Sequence, residues 1–194
     1  MQSHFYAILS RMKYIKRWGL MRNTREENLS EHSLEVAYIA HALAVISNKR
    51  LSNNIDANAA AVAAMFHDTS EILTGDLPTP IKYYNPEIKE AYKKIEIIAE
   101  DELIGMLPSE MQTEFQDIYK PCEAIAKIVK AADKLSALIK CIEEKNMGNK
   151  EFKSAEESAR KALSEMAMPE VDIFINEFLG SFSMTLDEQR QIKK

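Results

Sequence analysis

The stretch MFHDTSEILTGDLPTP, residues 65–80, closes an alanine-rich run and sets a histidine beside an aspartate where the chain is about to turn. His67 and Asp68 are followed by Glu71, and then by a turn that holds Gly75 and two prolines. Glycine accepts backbone angles that other residues resist, and proline fixes its own φ angle. A segment that only packs against a core needs none of these features. The stretch therefore predicts a functional site at the end of a helix.

The residues around this stretch follow helical periodicity almost everywhere. Asn28 precedes Glu31 by three residues, as in a capping box, and Asp56 and Asn85 stand where helix caps are expected. The pattern predicts helices at about 2–15, 29–46, 57–66, 86–107, a short one after Pro108, and others at about 123–147, 150–167 and 170–180, with Gly148 as a C-terminal cap. No run alternates as a strand does. We predict a compact all-α fold of about seven or eight helices, with residues 1–194 forming a single domain.

Composition narrows the class of protein. The chain has 194 residues, of which 46% are hydrophobic and 28% charged, as in globular proteins. Cys122 and Cys141 lack the spacing of a disulfide framework or a C-x-x-C motif, so we expect reduced thiols and a cytoplasmic protein. No signal peptide or membrane span is expected, because no apolar run is long enough.

Charge is distributed unevenly along the chain. The net charge is −5, yet residues 1–25 contain no Asp or Glu and carry six cations: Arg11, Lys13, Lys16, Arg17, Arg22 and Arg25. A basic segment on an acidic protein can attract an anion locally. The alternative is a solvated helix face. A nucleic-acid polymer is not expected as a partner, because the acidic chain lacks an extended basic surface.

Four side chains from three predicted helices suggest a metal site. They are His32, in the first turn of a helix with an apolar stripe, the pair His67 and Asp68, and Asp133, which lies among core residues of a later helix. A buried carboxylate is costly unless it is paired or coordinated. Taken singly, Asp133 could instead form an ion pair with Lys130 or Lys134, and His32 could be a polar residue near a cap. Taken together, the four can bind one divalent transition metal and leave positions open for water and substrate.

The order His32, His67-Asp68, Asp133 resembles the H…HD…D signature of the HD-domain phosphohydrolase superfamily, which is all-helical. The blocks RWGLMRN (17–23), NLSEHSLEVA (28–37), MFHDTSEILTGDLPTPIKYYN (65–85) and KAADKLSALIKCIEE (130–144) resemble the bacterial 5′-deoxynucleotidase family. That family removes phosphate from deoxyribonucleoside 5′-monophosphates. The resemblance implies a metal-dependent phosphoric monoester hydrolase and a homodimer. It favours Co²⁺ or Mn²⁺ as the metal, with Zn²⁺ or Cu²⁺ also admitted.

The resemblance also assigns roles to individual residues. Glu71, three residues after Asp68, is expected to be the general acid or base; the alternative is a surface glutamate. Arg17 is expected to hold the phosphate, and Trp18 to pack against the deoxyribose, unless Trp18 is a core residue. Asp76 is expected to accept a hydrogen bond from the sugar 3′-hydroxyl. The wall of the pocket around the sugar and base is expected to consist of Leu77, Pro78 and Thr79. Asp68 and Asp133 are expected to contact both the metal and the substrate. His4 and His41 are assigned to structure, with His41 predicted to lie in the core.

Other functions are weighed against this one. Another HD phosphohydrolase could act on a deoxynucleoside triphosphate, a guanosine alarmone or a cyclic phosphodiester, which would call for more cations or more histidines near the metal. A non-catalytic HD-like binding or signalling module is expected to lack the ligands, and all four are present.

Overall fold

The chain folds into helices joined by short loops in a computed structural model, which describes residues 2–82 and 84–190 but not the side chain of Thr79. The α-helices are α1 (Phe5–Leu9), α2 (Leu29–Arg50), α3 (Ala57–Phe66), α4 (Glu71–Thr74), α5 (Thr79–Lys82), α6 (Pro86–Gly105), α7 (Ser109–Tyr119), α8 (Glu123–Asn146), α9 (Lys153–Met166), α10 (Pro169–Glu177) and α11 (Leu186–Arg190). Three 3₁₀ turns lie at Ser10–Tyr14, Lys150–Phe152 and Leu179–Ser183. No strand occurs within the described ranges, so the all-α prediction is confirmed.

The core is built around α2, α3 and α8. Ala60, Ala63 and Ala64 of α3 are buried and bring this helix close to both neighbours. Helices α9 and α10 add Leu163, Val171 and Phe174 to the same apolar cluster. Because α2, α3 and α8 carry the predicted ligands, the packing that stabilises the fold also sets the relative positions of those ligands.

Most of the long helices begin and end close to the residues predicted from the sequence. The Asn28 side chain accepts hydrogen bonds from the backbone amides of Ser30 and Glu31, and the Glu31 side chain completes the capping box. Asp56 and Asn85 cap α3 and α6. Gly148 follows α8 with a φ of 84°, a conformation that favours glycine.

Three expectations about local structure are wrong. The first predicted helix, 2–15, is a five-residue α-helix followed by a 3₁₀ turn. Three short helices were not predicted: α4 and α5, which follow His67, and α11 near the end of the chain. Helices of four or five residues are too short to show a periodic pattern of apolar residues. His41 is exposed, since α2 turns that side away from α3 and α8.

The basic segment is fastened to the start of α2. Backbone hydrogen bonds run from Arg17 to Glu27, at 2.9 Å, and from Leu29 to Ile15, at 3.0 Å. Lys16 and Asn28 form an isolated antiparallel bridge. This clamp brings Arg17 and its neighbours next to the first turn of α2, where His32 lies.

Two further findings concern the class of protein. Among the described helices, none combines the length and the apolar character that a membrane span requires. Cys122 is exposed and Cys141 is buried, and both are free thiols.

Candidate active site

The four predicted ligands meet at one point between α2, α3 and α8. His32 Nε2 lies 3.4 Å from Asp68 Oδ2 and 3.3 Å from Asp133 Oδ1, and His67 Nε2 lies 3.1 Å from Asp68 Oδ2. The potential ligand atoms of His32, His67 and Asp68 are all within 4.8 Å of one another. Residues separated by up to a hundred positions in the chain thus form one cluster.

The spacing of this cluster fits a metal ion. Ligands about 2.0–2.2 Å from a divalent transition metal are separated from one another by roughly 3 to 3.6 Å. The Nε2 atoms of both histidines are buried and have no hydrogen-bond partner among the described residues. Two buried imidazole nitrogens that lie within 3.4 Å of carboxylate oxygens are placed to share a cation with them. The arrangement therefore fits a metal held by His32, His67 and Asp68. Asp133 lies beside this set, 3.3 Å from His32 Nε2, and its role as a fourth ligand stays a prediction.

His67 is held by the end of α3. Its Nδ1 atom lies 2.7 Å from the carbonyl oxygen of Ala64, which can only accept, so Nδ1 carries a proton and Nε2 faces Asp68. Burial opposes a positive charge on this ring, but the negative charge of Asp68, whose Oδ2 lies 3.1 Å from Nε2, outweighs burial and raises the pKa of His67 to about 9. Asp68 therefore favours the positively charged form of His67.

Asp133 has the histidine as its partner. Burial by itself would raise the pKa of this carboxyl, yet the imidazole of His32, whose Nε2 lies 3.3 Å away, brings the pKa down to about 2. Arg17 Nη2 lies 3.9 Å away. Within the described ranges, neither Lys130 nor Lys134 forms an ion pair with Asp133, whose charged neighbour is Arg17 instead.

Glu71 opens α4 beside the cluster and is buried, with 5% of its surface exposed. Burial, followed by the charges of Asp68 and Asp76, raises the pKa of its carboxyl to about 9. Its Oε2 atom has no hydrogen-bond partner among the described residues, and Oε1 lies 3.9 Å from Lys82 Nζ. The alternative of a surface glutamate is wrong. At neutral pH this carboxyl holds a proton that it can donate.

Arg17 points its guanidinium toward the same cluster. Nη1 donates to Glu27 Oε2 at 2.9 Å, and Nη2 is the group near Asp133. Both side chains of the Arg17–Glu27 pair are 12% exposed. Glu27 therefore fixes one side of the guanidinium, and the other side faces the cluster.

Trp18 adopts an unusual backbone conformation, with a φ of 60°. Its indole Nε1–H donates to the same Glu27 oxygen at 2.9 Å, and its ring lies 5.3 Å from the ring of Phe152, which is fully buried. Left-handed backbone is costly for a bulky residue and persists where the surroundings hold it. Trp18 thus sits at the edge of the core, beside Arg17.

The predicted wall lies on the turn after α4. Gly75 has a φ of 74°, which favours glycine, and Asp76, Leu77 and Pro78 are partly buried. Burial raises the pKa of Asp76, and the nearby charge of Arg17 acts in the opposite direction. The side chain of Thr79 lies outside the described part of the structure, so its predicted contact stays a prediction.

Sequence reasoning missed several residues of the site. Glu27 accepts hydrogen bonds from Arg17 and Trp18. Lys82 donates to Glu96 at 2.7 Å and also lies 3.9 Å from Glu71. Ser136 lies 3.1 Å from His32 Nδ1. Only Ser136 carried a usable signal, because it follows Asp133 by three residues and so shares its helix face.

Comparison with known proteins agrees with this geometry. The model of a family described as 5′-deoxynucleotidase YfbR-like matches residues 4–182. The chain is 53% identical over 190 residues to a 5′-deoxynucleotidase of Vibrio vulnificus, covering 96% of this chain and 98% of that protein. It is 52% identical over 191 residues to a 5′-deoxynucleotidase of Photobacterium profundum, with coverage of 96% and 98%.

Solved structures share the fold. A HD-domain phosphohydrolase from Listeria innocua superposes with a TM-score of 0.81 and 25% identity, covering 92% of this chain and 88% of that one. A HD phosphohydrolase of cyanophage S-2L, solved with dA and one catalytic Zn²⁺ ion, superposes with a TM-score of 0.66 and 18% identity, covering 90% and 96%. The second likeness shows the fold alone.

Proposed function

The chain belongs to the YfbR-like 5′-deoxynucleotidase family, and we propose that it is a metal-dependent 5′-deoxynucleotidase. It hydrolyses deoxyribonucleoside 5′-monophosphates to a deoxynucleoside and inorganic phosphate. The observation that carries this proposal is the meeting of four metal ligands with a protonated, buried Glu71 and a guanidinium.

His32, His67, Asp68 and Asp133 hold one divalent ion. A bound ion supplies positive charge that polarises a phosphate oxygen and makes water more acidic. Two imidazoles and two carboxylates would leave a six-coordinate first-row ion with open positions for water and substrate. Asp68 and Asp133 also border the position of the substrate phosphate.

Glu71 acts as the general acid. When water attacks phosphorus, a new P–O bond forms and the bond to the 5′-oxygen breaks, so the 5′-oxygen leaves as a strongly basic alkoxide. A proton from Glu71 neutralises it, and burial of the carboxyl keeps that proton in place at neutral pH. The carboxylate left behind then accepts the proton that the attacking water releases as it becomes part of the phosphate, so Glu71 returns to its starting state.

Arg17 binds the phosphate. A guanidinium fork matches two phosphate oxygens, and Glu27 orients this fork through Nη1 while Nη2 faces the metal ligands. The basic segment of residues 1–25 thus contributes one cation to the site itself.

Trp18, Asp76, Leu77, Pro78 and Thr79 bind the nucleoside. Asp76 accepts a hydrogen bond from the sugar 3′-hydroxyl, and the indole of Trp18 occupies the space that a 2′-hydroxyl would need. Support comes from the position of Trp18 between Arg17 and Phe152, which leaves little freedom for the ring to move aside.

Phosphate release from a matched panel tests this function. The substrates are 5′-dNMPs, 5′-NMPs, 3′-dNMPs and dNTPs, assayed after chelation by EDTA and after addition of Co²⁺, Mn²⁺, Zn²⁺ or Mg²⁺. We expect activity on 5′-dNMPs alone and only with metal. Equal rates on ribonucleotides would refute the role of Trp18, undiminished activity after chelation would refute the metal site, and preference for dNTPs would favour a triphosphohydrolase.

Finer properties belong to the same proposal. A mixed imidazole and carboxylate site suits several first-row ions, and we propose Co²⁺ or Mn²⁺ as the preferred metal. We propose a homodimer in the cytoplasm, in keeping with the free thiols of Cys122 and Cys141. The net charge of −5 supports the expectation that no nucleic-acid polymer binds.

A further inference from the structure

A buried chain of hydrogen bonds runs behind His32, on the side away from the carboxylates. His32 Nδ1 lies 3.1 Å from the hydroxyl oxygen of Ser136, and that hydroxyl donates to Glu35 Oε2 at 2.6 Å. His32 and Ser136 have no exposed surface, and Glu35 is partly buried. The chain joins α2 to α8, the two helices that carry His32 and Asp133.

The direction of these bonds follows from the number of protons. A serine hydroxyl has one proton, and here that proton is donated to the Glu35 carboxylate. The oxygen of Ser136 can then only accept from its other neighbour, so Nδ1 of His32 must carry a proton. A neutral imidazole has one N–H, which leaves Nε2 with its lone pair.

The lone pair on Nε2 points to the place where a cation binds. Nε2 lies 3.3 Å from Asp133 Oδ1 and 3.4 Å from Asp68 Oδ2, and it has no partner within the described ranges. A lone pair directed at two carboxylates is repelled by both unless a positive charge lies between them. His67 is oriented in a similar way, with its Nδ1–H on the Ala64 carbonyl and Nε2 facing Asp68.

We propose that Ser136 and Glu35 are positioning residues that keep the Nδ1–H tautomer of His32 and so present Nε2 to the metal ion. The inference rests on the metal site proposed above and adds what prepares one of its ligands. Hydrogen-bond partners of a metal-bound histidine fix its ring orientation and tautomer, and losing such a partner typically weakens metal binding by about 10- to 100-fold.

The surroundings of Glu35 are compatible with this role. Glu35 borders a cavity of about 140 Å³, together with the cations of Arg25 and Lys140. Burial raises the pKa of Glu35, whereas the Ser136 hydroxyl acts in the opposite direction by hydrogen bonding to the carboxylate.

Nuclear magnetic resonance of ¹⁵N-labelled histidines reads the tautomer directly. Long-range ¹H–¹⁵N spectra of the full chain are recorded at pH 8 with EDTA, and the His32 signals are assigned from a His32→Gln variant among only four histidines. We expect Nδ1 of His32 to carry a proton before any metal is added. An unprotonated Nδ1 would overturn the proposal.

Metal affinity provides the second readout. Zn²⁺ binding, measured by competition with a chromophoric chelator, should weaken about 10- to 100-fold in Ser136→Ala. Ser33→Ala is the matched control, because Ser33 is also buried but its hydroxyl has no partner among the described residues. Equal affinity of the wild type and Ser136→Ala would overturn the proposal, provided that circular dichroism shows both to be folded.

A double variant tests whether Ser136 and Glu35 act through the same bond. Glu35→Ala frees the Ser136 hydroxyl to donate to Nδ1, so it should weaken Zn²⁺ binding and reduce the Nδ1–H signal. The double variant should bind Zn²⁺ no more weakly than Ser136→Ala alone, because the path is already broken. Additive losses would overturn the shared path.

These results separate this inference from the proposed function. A wild type that binds Zn²⁺ with the expected tautomer but does not release phosphate from 5′-dNMPs would refute the function and leave the positioning role standing. If the wild type hydrolyses 5′-dNMPs while Ser136→Ala keeps full Zn²⁺ affinity, the proposed function stands and the positioning role of Ser136 is refuted.

Discussion

Replacing Glu71 with glutamine removes the proton of the buried acid while keeping the size of the side chain. In the metal-free protein the pKa of Glu71 is raised from 4.5 to about 9. Between these two values the unfolded chain is ionised and the folded chain is not. The folded state therefore loses stability as the pH rises from 4.5 to about 9, and the loss is complete above that range.

The size of this loss follows from the shift. At pH 7 the unfolded carboxyl is about 2.5 pH units above its pKa, and each unit corresponds to about 1.4 kcal/mol, so the loss is roughly 3 kcal/mol. Glutamine does not titrate. The free energy of unfolding of Glu71→Gln minus that of the wild type should therefore grow by roughly 3 kcal/mol between pH 4 and pH 7.

Urea denaturation in EDTA, at steps of half a pH unit, measures this difference; chelation matters because a bound cation would lower the pKa of Glu71. With metal restored, the turnover of Glu71→Gln on 5′-dNMPs should fall by about 10²- to 10⁴-fold while the metal stays bound. Glu100→Gln is the control: burial raises the pKa of Glu100 to about 6, yet it lies on α6 beside Glu96 and should leave turnover unchanged. A stability difference that does not change with pH would refute the burial argument, and loss of the metal would make Glu71 a ligand.

Three further changes test other parts of the site. Arg17→Lys keeps the charge but loses the fork, so kcat/KM should fall by roughly 10- to 100-fold; unchanged kinetics would show that Arg17 does not hold the phosphate. Asp76→Asn should cut kcat/KM for 5′-dNMPs by a similar factor and lose less on 2′,3′-dideoxy substrates, whereas an equal loss on both would exclude the 3′-hydroxyl contact. Glu144→Gln removes the negative charge that pairs with the buried Lys140 and should lower the free energy of unfolding by about 3 kcal/mol. Lys140, Thr24 and Asn149 hold the pKa of Glu144 below its usual range despite burial, so this stabilisation should persist above pH 4.5 and disappear in acid, and a Glu144→Gln effect that is the same at pH 3 would contradict it.

The long helices could be predicted because their signals are local. The capping box of Asn28 and Glu31 lies within one helical turn. The alanines of α3 indicate close helix packing even when the neighbouring helices are not known. The first helix was overestimated because its apolar spacing continues past Leu9, where the chain tightens into a 3₁₀ turn to reach α2. The residues near Ile15 do not indicate that the backbone amide of Leu29 donates a hydrogen bond to the Ile15 carbonyl.

The ligands of the site could be predicted because a histidine or carboxylate among apolar neighbours stands out, as His32 and Asp133 do. The residues that orient them do not stand out. Glu27 is one of two adjacent glutamates; Glu26 pairs with Lys16 in solvent, whereas Glu27 binds Arg17 and Trp18. Which of the two turns inward depends on the clamp between the basic segment and α2, a contact that only the folded chain contains.

The charges of the site explain why a metal and a protonated Glu71 are needed together. Arg17 lies within the field of four carboxylates, those of Glu27, Asp133, Asp68 and Asp76. A phosphate dianion that approaches Arg17 meets the same field, so the guanidinium alone cannot offset the repulsion. The charges of Asp68 and Asp76 that keep Glu71 protonated also disfavour the substrate, and a divalent ion relieves both effects. A bound divalent ion would reduce the repulsion of the phosphate and would also lower the pKa of Glu71 from about 9.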